Sequence, residues 1–314
     1  MASLREIKDR IGSVRSTLKI TSAMKLVASA KLRKAQKAIE GMRPYERTLA
    51  EILAAVSPGR TGEPASRLPS SLPAGAGTGA VATAPAAAEP SPSGIAGSAV
   101  PGPTAVVAIA SNSSLCGAFN ANIVRETLKT IRACEGGVEV YPIGRKMVEA
   151  LRRAGYTNPT DYNDLIGHPA YEKSAALARS LSERYQRGEL GRVVLVYNRF
   201  VSTSTQEPTV ESYLPFDAAG WGGDSPVMPA NDDYLLEPDA QALVDQLLPQ
   251  VMILKFHAAI LDSAAAEQAA RTIAMQTATD NAEDLLGELT LEYNKGRQQK
   301  ITAEILDLLG GAAN

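Results

Sequence analysis

Few residues in this chain combine the types and spacing that bond chemistry requires. Asp280, Glu283 and Asp284 put three carboxylates on one helical face, an arrangement that can hold a cation but more commonly forms a solvated surface. Ser-x-x-Lys, a nucleophile–base pairing, occurs at Ser16–Lys19 and Ser22–Lys25. Neither copy has a Ser-Asp-Asn or Lys-Thr-Gly partner, and both fall inside a predicted long helix. His168 and His257 are too few for a histidine-rich metal site, and a lone histidine on a long helix reads as a packed or surface residue. Cys116 and Cys134 match no CxxC or ligand spacing and read as buried or idle thiols. For phosphate, Ser111–Gly117 supplies a single glycine, and neither GxGxxG nor GxxxxGK[ST] occurs. Gly117 fits a strand-to-helix turn. The expectation is a non-catalytic chain with no cofactor, no metal and no catalytic residue.

One charge pattern stands out against a net charge of −2. Between Asp9 and Glu40 there is no acidic residue, while Arg15, Lys19, Lys25, Lys31, Arg33, Lys34 and Lys37 all lie there. A basic helix of this kind is a solvated face, a nucleic-acid or membrane stripe, or a surface facing acidic protein loops.

The elements that carry these residues are unusual in length. Apolar positions Leu4, Ile7, Ile11, Val14 and Leu18 alternate three and four apart, and the frame resumes at Ala28, Leu32, Ala35, Ile39 and Met42. A second seam reads Leu247, Val251, Leu254, Ala258, Leu261 and Ala265, then Met275, Ala282, Leu286 and Leu289. Sustained 3.5-residue spacing predicts a coiled coil, with helices of roughly 80 Å at a 1.5 Å rise per residue. The seam turns polar at Thr21 and Lys25, and at Gln268 and Thr272 on the other helix, which predicts a register device or a face turned toward another protein. Ser3 and Glu6 are placed to form a capping box. Gly41 and Pro44 predict a kink or short break, Pro249 an early kink, and Gly310-Gly311 the end of the second helix.

Between the helices, short apolar runs at Thr104–Ala110, Val138–Pro142 and Arg192–Asn198 read as buried strands. Helical periodicity falls at Asn120–Ala133, Lys146–Ala154 and Tyr171–Arg187, and Pro208–Phe216 reads as an edge strand. Such alternation predicts an open, mainly parallel sheet with helices on its faces. The fold class is therefore α/β: an antiparallel coiled coil of long N- and C-terminal helices with an inserted Rossmann-like α/β domain. The expected division is a helix over 1–57, an Ala/Gly/Pro/Ser-rich flexible linker over 58–103, an α/β domain over 104–216, a loop over 217–236 and a helix over 237–314. No signal or transit segment is legible, and no stretch has the ~18 uninterrupted apolar residues of a membrane span. Three functional classes stay open on these residues: a shaft or adaptor acting through protein contacts, a basic coiled coil binding nucleic acid, and an α/β enzyme with helical arms.

The run Ile20-Thr-Ser-Ala-Met-Lys-Leu-Val-Ala-Ser-Ala-Lys-Leu-Arg-Lys-Ala-Gln36, continued by Arg43-Pro44-Tyr45, resembles the first helix of the γ-subunit family of F-type ATP synthases. Glu267-Gln-Ala-Ala-Arg-Thr-Ile-Ala-Met-Gln-Thr-Ala-Thr-Asp-Asn281, then Tyr293-Asn-Lys-Gly-Arg-Gln298 and Ile301-Thr302, resemble its C-terminal signature. Leu115-Cys116-Gly117 and Asn120 resemble the start of its α/β domain. The resemblance implies a central rotor shaft inside a ring of three α and three β subunits, turned by a proton-driven c-ring and accompanied by an ε subunit. It implies coupling contacts at Met24, Arg271, Gln298, Thr302 and Glu304, and a basic stripe at Arg15, Lys19, Lys25, Lys31, Arg33 and Lys34 facing acidic β loops. It places the foot, where the shaft meets the c-ring and ε, at Tyr234 and Glu237. It further implies a peripheral position on the cytoplasmic side of a bacterial plasma membrane. Chloroplast members carry a redox-regulated cysteine pair in an insertion; Cys116 and Cys134 lie elsewhere, so thiol control is not expected.

Overall fold

The computed structural model describes residues 3–56, 102–134, 136–158, 160, 162–167, 169–215 and 240–311. All but the last two residues of the predicted linker, together with His168, the 217–236 loop, Tyr234 and Glu237, lie outside the described residues. The chain forms α1 (Leu4–Val56), β1 (Thr104–Ile109), α2 (Phe119–Ala133), β2 (Val138–Ile143), α3 (Arg145–Arg153), α4 (Asp164–Gly167), α5 (Tyr171–Gln186), β3 (Arg192–Phe200), β4 (Gln206–Leu214) and α6 (Ala240–Gly311).

The capping box forms as its spacing predicts: Glu6 N–H donates to Ser3 Oγ (3.2 Å) and Ser3 N–H to Glu6 Oε2 (3.0 Å). From there α1 runs 53 residues, about 80 Å, and α6 runs 72 residues, about 108 Å. Of the kink or short break expected at Gly41 and Pro44, the break does not occur; α1 continues through Pro44. Glu40, Gly41 and Pro44 are all exposed, so the carbonyl that proline cannot bond lies on the solvent side of the helix, while Met42 and Leu49 on either side stay packed on α6. Exposed Pro249 likewise lies inside an unbroken α6.

The two helices run antiparallel. Ile7 and Ile11 pack on Leu289, Leu32 and Ile39 on Leu261, Ala265 and Ala269, and Leu49 on Val251 and Leu254. Residue numbers climb on α1 as they fall on α6. Leu4 closes the pair against Gly296, where an added Cβ would sit 3.1 Å from its Cδ2. Beyond that point α6 continues with Ile301, Ile305 and Leu306 exposed.

The sheet has the order β2-β1-β3-β4, with β1 parallel to both neighbours and β4 an antiparallel edge on β3. Alternation along the strands builds two cores. Val106, Ala108, Val140, Val194 and Val196 face α2 and α3. Ala105, Val107, Ile109, Val193 and Leu195 face α5 and, unexpectedly, α6, through Met252, Phe256 and Ile260. The inserted domain therefore does not close its own core; the long helix is one of its layers. Tyr213 fastens that layer, donating its hydroxyl to the Met252 carbonyl (3.0 Å) with its ring edge-on to Phe256. This also explains why Gln246–Leu306 is apolar enough to pass as a membrane span: 67% of its most apolar window is buried inside the chain. His257 is packed as expected, its Nδ1 3.0 Å from Ser174 Oγ and Tyr171 edge-on to its ring.

Candidate functional site

Open α/β sheets bind ligands outside the carboxyl ends of the strands, where successive crossovers leave on opposite faces. Here β1 leaves through α2 on one face and β2 returns to β3 through α5 on the other, so that point lies between β1 and β3. The chain's own helix lies across it. Cys116 and Phe119 pack on Ala266 of α6, with Phe200 and Ala270 beside them. Gly117, at φ +58, brings the loop onto Ala274, whose Cβ would lie 3.8 Å from an added one.

A buried ion pair locks this contact. Arg271 Nη1 donates to Glu267 Oε1 (2.7 Å) and Nη2 to Ser113 Oγ (2.8 Å). The loop is braced by Asn120, whose Oδ1 accepts from Ser111 N–H (3.1 Å) and Ser111 Oγ–H (2.9 Å). Burial pushes the Glu267 carboxyl above the ordinary range, opposed by the charges of Arg271 and Lys31. Burial also pushes the Cys116 thiol up, which suits an inert packed residue rather than a nucleophile. Leu115, in a left-handed backbone conformation (φ 67), stands 58% exposed at the loop's tip. The arrangement fixes the sheet domain to the long helix pair.

Along the shaft, the polar seam positions find partners other than the sequence suggested. Thr21 meets Thr279, whose Oγ1 lies 3.0 Å from its own, and Lys25 Nζ donates to Gln276 Oε1 (2.7 Å). Gln268 and Thr272 sit farther down α6, because the antiparallel register set by Leu32 and Ile39 on Ala265 and Ala269 puts them opposite neither residue. Gln276 in turn donates to Asp280 (2.6 Å), while Glu283 and Asp284 are exposed.

Of the basic stripe, Arg15, Lys19, Lys31, Arg33 and Lys34 are exposed and make no ion pair among the described residues. Lys25 differs, being half-buried on the seam. Exposed Ile20 and Val27 sit among these cations. Met24 is half-buried. Gln298, Thr302 and Glu304 all lie exposed on the unaccompanied end of α6, where Thr302 Oγ–H donates to the Gln298 carbonyl (2.9 Å). The structure thus brings Arg271 into the clasp and leaves Gln298, Thr302 and Glu304 together at a distance along α6.

The sequence model of the ATP synthase family matches residues 3–314. An ATP synthase gamma chain of Bacteroides fragilis is 43% identical over 316 residues, covering 99% of each chain. That of Flavobacterium johnsoniae is 37% identical over 313 residues, covering 99% of this chain and 98% of the relative. The chain belongs to the ATP synthase gamma family. Among solved structures, a chain of the Euglena gracilis mitochondrial ATP synthase rotor superposes with a TM-score of 0.59 at 20% identity, over 95% of this chain and 98% of that one. A chain from the same organism's OSCP/F1/c-ring assembly gives 0.62 at 20% identity, over 99% and 93%. These likenesses establish the gamma fold: long terminal helices and a small mixed sheet.

Reasoning from the sequence missed Ser113 and the role of Glu267. The four-residue step from Glu267 to Arg271 is a readable helix-pair signal, but nothing local marks Ser113, 158 positions away, as the third partner.

Proposed function

We propose that this chain is the central rotor shaft of an F-type ATP synthase, carrying torque between a proton-driven c-ring and the catalytic sites of an α/β hexamer. The chain itself is non-catalytic. The observation that carries this reading is the long antiparallel helix pair with a sheet domain clasped rigidly to its side. A shaft must resist twisting, and two helices supercoiled as a coiled coil share torsional load along their whole contact. Arg271 supports coupling by holding the Rossmann-like domain and shaft as one body, so that load on either reaches the other. Met24 at mid-shaft, with Gln298, Thr302 and Glu304 toward its tip, would meet the surrounding stator.

The exposed cations Arg15, Lys19, Lys31, Arg33 and Lys34 suit acidic loops of β subunits passing at close range, with Lys25 buttressing the shaft from the seam. Tyr234 and Glu237 would form the foot against the c-ring and ε. The assembly places the chain peripherally at the cytoplasmic face of a bacterial plasma membrane, held there through its partners.

A tagged chain recovered from its native membranes tests this. Co-elution of α, β and ε subunits with ATPase activity is the expected result. Recovery of nucleic acid, with strongly salt-dependent affinity, would overturn it and assign the basic helix to phosphate binding.

A further inference from the structure

Outside α6, the hydrogen bonds of Arg271 among the described residues all fall on one loop: Nη2 donates to Ser113 Oγ (2.8 Å) and reaches the Ser114 carbonyl (3.5 Å). Ser113, Ser114 and Leu115 are exposed, so burial does not fix the point where the guanidinium lands. Leu115, at φ 67, holds a conformation that costs any residue with a Cβ, so this arch needs something to impose it. The root of the loop is held elsewhere. The Ser111 carbonyl accepts from Lys146 N–H (3.1 Å), while Asn112 Oδ1 accepts from Arg145 N–H (3.0 Å) and its Nδ2 donates to the Asn163 carbonyl (2.9 Å). Those bonds stop at residue 112, one short of the arch. Asn120 spans the gap from the first turn of α2, whose Ile123 is buried against the sheet. Besides accepting from Ser111, its Nδ2 donates to Cys116 Sγ (3.1 Å) and reaches the Ser113 carbonyl (3.4 Å). The Ser111 hydroxyl has that same carbonyl (2.5 Å) and Asn120 Oδ1 (2.9 Å) within reach of its one proton. One side chain on a fixed helix therefore ties both ends of the arch.

We propose that Asn120 is a positioning residue for coupling: it sets the Ser113 arch where Arg271 can bond it, and acts on the shaft through that guanidinium. The inference rests on the shaft reading and adds to it the residue that aims the clasp. Without the amide, the arch relaxes at Leu115 and swings into solvent, carrying Ser113 off Arg271. The Arg271–Glu267 pair then stays within α6, joined no longer to the sheet domain. At this level of the shaft the domain bears on α6 through the apolar packing of Cys116 and Phe119 on Ala266, and the joint gains play. Load on one body is then passed incompletely to the other.

Nitrogen NMR of the full chain reads the Arg271 guanidinium directly, because its Nη groups rotate slowly while both are bonded. Asn120→Ala should speed that rotation about tenfold, the change expected when one charge-assisted hydrogen bond is lost. Ser113→Ala should do the same, and the double variant should add nothing further, since both changes act on one contact. Asn120→Asp keeps the size of the side chain and the acceptor for Ser111 but turns an oxygen toward the Ser113 carbonyl. It should fall with the alanine variant, and it carries the test where that variant folds poorly. In reconstituted vesicles, Asn120→Ala and Ser113→Ala should lower the protons pumped per ATP hydrolysed to the same extent. Unchanged rotation in the Asn120 variants, additive effects in the double variant, or a pumping ratio equal to wild type would overturn the proposal. Failure of the shaft reading itself shows separately, in the absence of co-eluting α, β and ε subunits.

Discussion

Replacing Arg271 by alanine should be among the most damaging single changes in this chain, and its penalty should depend on pH. The side chains of Arg271 and Glu267 are 11% and 8% exposed, and their charged atoms lie 2.7 Å apart. Removing one member of a buried pair strands the other, at a cost of about 3–5 kcal/mol. Ser113 Oγ also loses its charged donor. Glu267 already carries a carboxyl raised by burial even with Arg271 holding it down. Without the guanidinium it rises further. The folded variant then binds more protons than the unfolded chain above the ordinary glutamate value of 4.5, so its stability falls as pH rises through that window. Urea unfolding of the full chain, followed by circular dichroism at several pH values, measures both effects. Glu267→Gln in the Arg271→Ala background should recover much of the loss by removing the stranded charge. The double change of both residues to methionine should return stability to within about 1 kcal/mol of wild type. A loss below about 1 kcal/mol with no pH slope would refute the reasoning, since exposed pairs behave that way.

Introducing a charge at half-buried Met24 by Met24→Lys should leave assembly intact but lower the protons pumped per ATP hydrolysed; an unchanged ratio in reconstituted vesicles counts against a stator contact there. Thr21→Val should cost only about 0.5–1.5 kcal/mol, because Thr279 keeps its bond to the Met275 carbonyl (2.8 Å), and the Thr21→Val/Thr279→Val pair should cost little more by the same unfolding assay. Gly144→Ala should cost more than about 3 kcal/mol, because its Cβ would sit 2.0 Å from the Ala110 carbonyl oxygen at φ +98, and a soluble, normally melting variant would refute that contact. Deleting part of the 58–103 segment, whose Ala/Gly/Pro/Ser composition is that of a linker, should leave complex formation unchanged, because lengthening or shortening a linker changes closure cost little; loss of co-purifying subunits would reveal a contact made by that segment.

Periodicity along the chain was enough to place nearly every element. The heptad steps from Leu4 to Met42 and from Leu247 to Leu289 specify two long helices because a 3.5-residue repeat keeps one stripe facing a partner. Apolar runs at Thr104, Val138 and Arg192 specify buried strands because each is shielded on both faces. The Ser3–Glu6 box was readable because both partners lie within one turn.

What the sequence could not determine lies in contacts between residues far apart along the chain. No local pattern marks Ser113 as the partner of Arg271, or Thr279 and Gln276 as the residues facing Thr21 and Lys25. Those pairings exist because the antiparallel register of α1 on α6, set by Leu32 and Ile39 against Ala265 and Ala269, aligns them. The same register carried α1 through Pro44 without a break, where local chemistry alone predicts a kink or short break, since seam packing on both sides outweighs one lost backbone bond. It also turned α6 into a layer of the sheet's core: a helix read by itself presents one apolar stripe, and only the folded chain decides that Met252 and Phe256 meet β-strands while Leu254 meets α1.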